Sequence, residues 1–169
     1  MRSTPSQRLG AAFILAFCGF ASGGWGQVPA PADVPAPAAA PLACGFKLSA
    51  EAFREWLTQG GKDGRLGCPS AEESDALPSL QGSASRETPF GDQGAIFVYT
   101  SGPRAGQAVS IADCYRLFYQ YGGATGWLGL PLSDAQNTPD GQKQEFEGGE
   151  MRYGRALESC DATAAAPAS

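Results

Sequence analysis

The sequence predicts an α+β domain of two tandem helix–loop–β-hairpin units, supported by disulfides. Three observations predict it. A phrase occurs twice, GGKDGRLGCP at 60–69 and GGATGWLGLP at 122–131, with six of its ten positions identical. Apolar residues precede each copy at the spacing of one helix face. Four cysteines remain once an N-terminal leader is set aside. A repeat of this period marks units that each form one supersecondary element and bury their apolar faces on one another.

Met1 to Gly26 has the form of a secretory signal. Arg2 and Arg8 give a basic start, Leu9 to Phe20 an apolar run, and residues 21–26 a small-residue cleavage region. The run falls short of the roughly 20 residues a membrane span needs. An acyl anchor at Cys18 is the lesser reading, because Phe17 is bulky where such signals want a small residue. Residues 27–43 are a Pro/Ala-rich linker, suited to an extended polyproline-type stretch of about 3 Å per residue. The folded part is expected over 44–160, with repeat 1 at 49–109 and repeat 2 at 110–160. The Ala-rich tail 161–169 lacks periodicity and is expected to be disordered.

Within the repeats, Phe53, Trp56, Leu57 and Gly60 align with Tyr115, Phe118, Tyr119 and Gly122. Both sets follow the i, i+3, i+4, i+7 spacing of a helix. Ser49 and Ser110 are the expected N-caps, the second in a capping-box pattern with Asp113. The glycine pair ends each helix, since glycine accepts the left-handed conformation of a C-cap. The remaining shared letters are read as scaffold: Gly60, Gly61, Gly64, Leu66, Gly67 and Pro69, with Gly122, Gly123, Gly126, Leu128, Gly129 and Pro131. A polar loop follows, Glu72-Glu73 in one copy and Ser133-Asp134 in the other. Strand signals come next, at 89–100 and 145–154. Repeat 1 carries a loop seven residues longer around Asp75 to Glu87. Residues 101–106 make a strong turn and 107–109 a return strand.

Without Arg2 and Arg8 the formal charge falls from −5 to −7. That acidity argues against nucleic acid and against an anionic membrane as partners. No membrane insertion is expected after signal cleavage. Cys44, Cys68, Cys114 and Cys160 in an exported domain point to two disulfides. Three pairings are open. Shorter loops favour Cys44–Cys68 with Cys114–Cys160, although the sequence does not decide it. A zinc site is disfavoured, for the chain has no CxxC pair and no histidine. The absence of histidine also removes Ser-His-Asp and Cys-His catalysis. The phrase lacks the Lys-Ser/Thr of a phosphate loop. Neither catalytic residues, metal nor cofactor is expected.

The ordered motifs resemble the LGFP repeat family. LGCP stands at 66–69 and LGLP at 128–131. FEGGEM stands at 146–151, and an expanded FGDQGAI at 90–96. The resemblance covers about Phe53 to Tyr153. It departs where the family carries an aromatic, here Cys68 and Leu130. The family implies a secreted or periplasmic protein of the cell envelope, attached to wall polysaccharide. It also implies a partial propeller-like arrangement, since two units are too few to close a ring, with self-association a further expectation. The alternatives are an envelope protein-interaction domain without a sugar site and a carboxylate-dependent glycan hydrolase.

Contrasts between the copies nominate the ligand-binding residues. Trp127 stands where repeat 1 has Arg65, and Tyr121 where it has Gln59. Positions that accept a polar residue face solvent, and an exposed ring there is a candidate sugar platform. Asp134 aligns with Glu72, and either could accept from sugar hydroxyls or act as a loop cap. Gln144 and Glu145 are candidates for the same groove. Trp56, apolar in both copies, is read as core.

Overall fold

The computed structural model describes residues 39–154 and 159–166. The expected leader, Cys18, linker residues 27–38 and tail residues 167–169 lie outside the described residues.

The chain enters through strands β1 (Leu42–Ala43) and β2 (Phe46–Lys47), an antiparallel pair. Cys44 and Gly45 join them at φ 51° and 96°. A two-residue turn with both φ values positive matches the right-handed twist of the strands it connects. The fold therefore begins inside the segment that the sequence assigns to the linker. Packing explains the shift: Ala43 is fully buried against Leu48 and Trp56.

Helix α1 (Ala50–Thr58) starts at Ser49, whose side chain accepts from the Ala52 amide as expected. It ends at Gln59, and Gly60 follows at φ 96°. Ala52 and Trp56 are buried and Phe53 is half-buried. Leu57, placed by its spacing on the apolar stripe, is exposed. Four strands follow: β3 (Ser74–Asp75), β4 (Ser85–Pro89), β5 (Ala95–Tyr99) and β6 (Ala108–Ile111). They pair in chain order as an antiparallel meander.

The second unit repeats this plan. Helix α2 (Tyr115–Gln120) ends at Tyr121, with Gly122 again at φ 96°. Strands β7 (Gln136–Thr138), β8 (Gly141–Phe146), β9 (Gly149–Gly154) and β10 (Ser159–Ala164) form the second meander. Each unit thus holds a helix and a four-stranded sheet, larger than the expected hairpin. The fold is mixed α+β, and neither sheet closes on itself among the described residues.

Two expectations about the second unit are corrected. Ser110 does not cap α2. It lies in β6, fully buried, and the helix begins five residues later behind Cys114 at φ 64°. The chain must first complete the first sheet, so the helix start is displaced. Asp161 to Ala164 is not disordered either. It belongs to β10 and pairs with Arg152 to Gly149 of β9. Strand β10 is the counterpart of β6, and its edge pairing supplies the order that its Ala-rich composition did not announce.

Strand β5 is the centre of the molecule. All five residues are buried, and they alternate between two cores. Ile96 and Val98 face α1 with Leu48, Ala52, Trp56, Leu66 and Phe90. Ala95, Phe97 and Tyr99 face the second unit with Phe118, Leu128, Leu130, Phe146 and Met151. Phe97 and Phe118 meet edge to face at 5.9 Å. The first sheet is therefore covered on both faces.

Both disulfides form, in the pairing that loop length favours. Cys44–Cys68 spans 24 residues and Cys114–Cys160 spans 46, with Cα atoms 5.8 and 5.6 Å apart. Cys44–Cys68 ties the entry hairpin to the first phrase. Cys114–Cys160 ties the start of α2 to the last strand.

Candidate functional site

The acidic loop behind each phrase has a structural task. Asp134 Oδ1 accepts from the Ser110 amide at 2.9 Å and from its hydroxyl at 3.1 Å. In the first unit Glu73 Oε2 accepts from the Ser49 amide at 2.6 Å, across the same sequence distance of 24. Glu73 also pairs with Arg86 at 3.0 Å. Each acid clamps the loop after the phrase to the chain entering the helix. The counterpart of Asp134 is thus Glu73, not Glu72. Aligning the letters alone misses this, because the offset between units slips by one either side of the phrase. Glu72 is exposed and makes no hydrogen bond to another described residue.

Gln144 turns its amide to the backbone. It is 5% exposed, and its amide donates to the Ser110 and Ser133 carbonyls, each at 2.8 Å. Its task is to satisfy buried backbone acceptors where the second sheet meets β6. Glu145 is exposed and pairs with Lys143 at 3.0 Å.

The structure brings together Tyr121 and Trp127. Their ring centroids lie 5.4 Å apart at 61°. Tyr121 is 37% exposed. Trp127 is half-buried, with part of its ring packed on the second core. Arg65, which stands at this position in the first unit, is exposed and pairs with Asp113 at 2.7 Å. Among the described residues no hydrogen bond joins this aromatic pair to Asp134, Glu72 or Gln144.

A cleft that sequence reasoning did not find lies where the units meet. It has a volume of about 250 Å³ and is lined by Gln81, Tyr99, Arg104, Leu132 and Glu147, among others. Tyr99 donates its hydroxyl to the Pro131 carbonyl at 3.1 Å. Burial, with the Glu147 carboxylate next, pushes the Tyr99 hydroxyl up to about 12, against a smaller opposing effect of Arg104. The Arg104 guanidinium lies 5.9 Å from the Tyr99 ring centroid and donates to the Leu132 carbonyl at 2.8 Å. Glu147 accepts from the Leu130 amide at 2.9 Å. The signal for this cleft was the longer loop of the first unit, which carries Gln81.

Glu55 of α1 also went unnoticed in the sequence. Burial holds its carboxyl above the usual 4.5, and the neighbouring Asp134 pushes in the same direction. Hydrogen bonds from Gln59 and Ser110 oppose the rise.

Compared with known proteins, the chain matches no family model, and no curated protein is detectably similar to it. No helix among the described residues is long and apolar enough to cross a membrane. The two disulfides fit an oxidising, extracellular compartment.

Proposed function

We propose that this protein is an exported, non-catalytic module that attaches to cell-wall or other envelope polysaccharide, built from repeats of the LGFP kind. The observation that carries the reading is the Tyr121–Trp127 pair. Two aromatic faces on a disulfide-supported scaffold offer apolar area to the C–H face of a sugar at little entropic cost. The leader-like N-terminus and the oxidised cysteines support export. The lack of histidine supports a binding role over a catalytic one.

Co-sedimentation of the protein with isolated sacculi, competed by soluble wall glycan, tests the reading. Tyr121→Ala is the cleaner variant because its ring is the more exposed. It should weaken retention about fivefold, or ~1 kcal/mol, with little change in melting temperature. Trp127→Ala should weaken retention and also lower the melting temperature, because part of the ring packs on the core. Retention by neither wall nor soluble glycan would sink the reading. A protein partner is the second reading, favoured by Leu77 and Leu80, each 73% exposed on the long loop of the first unit.

A further inference from the structure

The cleft between the units holds two anchored opposite charges that do not neutralise each other. Arg104 is fixed by Nη1, which donates to the Leu132 carbonyl at 2.8 Å and to Gln107 Oε1 at 2.9 Å. Both partners are neutral, and no carboxylate among the described residues pairs with it directly. Glu147 is fixed by the Leu130 amide on Oε2, and no other hydrogen bond from the described residues reaches its carboxylate. No ion pair joins Arg104 to Glu147, although both line the cleft around Tyr99.

Both acceptors approach Gly129. A Cβ built on Gly129 would lie 2.5 Å from both Gln81 Oε1 and Glu147 Oε2, and 3.0 Å from Glu147 Cβ. Glycine therefore lets both oxygens reach over its Cα. The counterpart in the first unit is Gly67, at φ 70° against 67° for Gly129, and nothing lies within 4 Å of its Cβ position. The crowding is thus a property of the seam, not of the phrase. Gln81 comes from the first unit, Glu147 and Gly129 from the second.

A carboxylate and an amide oxygen close together suit an ammonium, which has three donors and no acceptor. A held guanidinium with free N–H groups suits a carboxylate. We propose that this cleft binds an amino-acid-like zwitterion, with its ammonium on Gln81 and Glu147 and its carboxylate on Arg104. The volume admits a free amino acid or the end of a short peptide. The assignment does not depend on the Tyr121–Trp127 surface.

The test is titration of the ¹⁵N-labelled full chain with alanine and with alanylalanine, in L and D forms. N-acetylalanine and alaninamide are the blocked controls. Amide shifts should cluster at Gln81, Arg104 and Glu147 with millimolar affinity. Each blocked control should bind about tenfold more weakly. Glu147→Gln keeps an oxygen for the Leu130 amide and should also lose about tenfold, as should Arg104→Gln. Tighter binding of alanylalanine than of alanine would assign the site to peptide ends, and the reverse to free amino acids. Equal binding of zwitterion and blocked controls would overturn the proposal. So would the absence of shifts up to about 50 mM zwitterion, or shifts confined to other surfaces. If Arg104→Gln fails to fold, the blocked controls on the unaltered chain still decide. Loss of sacculus binding would bear on the aromatic surface and leave this result untouched.

Discussion

Strands β5 and β9 occupy the same place in the two units but live in different surroundings. In β5 Ala95, Phe97 and Tyr99 lie under the second unit. At the matching positions β9 carries Glu150, Arg152 and Gly154. There half-buried Lys143 and Glu150 form a charged network with exposed Arg152, with Arg152 to Glu150 at 2.6 Å and Lys143 to Glu145 at 3.0 Å. One strand is the middle of a stack, and the other is its end. Stacked repeats need an outer face that water accepts. The terminal copy supplies it by trading the apolar face of its sheet for charge.

Truncating the two strands is the strongest way to break that comparison. Phe97→Ala should cost about 3–5 kcal/mol in chemical denaturation, since the ring is fully buried at the seam. Arg152→Ala at the matching position should stay within about 0.5 kcal/mol. Equal costs would show that the outer face of β9 is not a free surface.

The phrase glycines give a smaller contrast. Gly67→Ala meets only the strain of a positive φ, about 1–2 kcal/mol. Gly129→Ala meets the same strain and must also displace Gln81 and Glu147. It should be the more destabilising of the two by thermal melting. Identical melting temperatures would show that the long loop does not press on the second phrase.

The acid clamps sharpen the comparison at the smallest scale. Glu73 is paired with Arg86, whereas Asp134 faces Glu55. A carboxyl whose folded pKa is raised confers stability that is fully present below its unfolded value. That stability is lost as pH rises through the folded value. Glu55→Gln removes this loss and keeps an oxygen for Gln59. The variant should melt above the parent near about pH 7, and the gap should close towards about pH 4. A gap that is constant with pH would mean that Glu55 does not carry the strain.

Much of this was legible in the sequence. The phrase located two glycine pairs that end two helices, and the i, i+3 spacing found Trp56 and Phe118 as core. The strand signals found β5 and β9. Loop length favoured the disulfide pairing that forms. Leu57 misled because α1 packs on the sheet through Ala52 and Trp56, which leaves Leu57 on the side turned to water. Ser110 misled because its letter matches Ser49 while its backbone still belongs to a sheet. Of the binding candidates, Tyr121 and Trp127 meet on one surface. Asp134 and Gln144 are committed to backbone groups instead.

Local pattern determined what each unit is. Glycine placement, helix spacing and strand alternation depend on neighbours in the chain, and these repeat on either side of the first unit's longer loop. Only the tertiary structure decided which faces are covered, where the fold ends and where the cleft lies. Those depend on residues from different units, such as Gln81 over Gly129 and Tyr99 on Pro131, whose meeting no local period records. The same physics folds both copies, and the charge that β9 carries in place of the apolar residues of β5 makes one the cap and the other the interior.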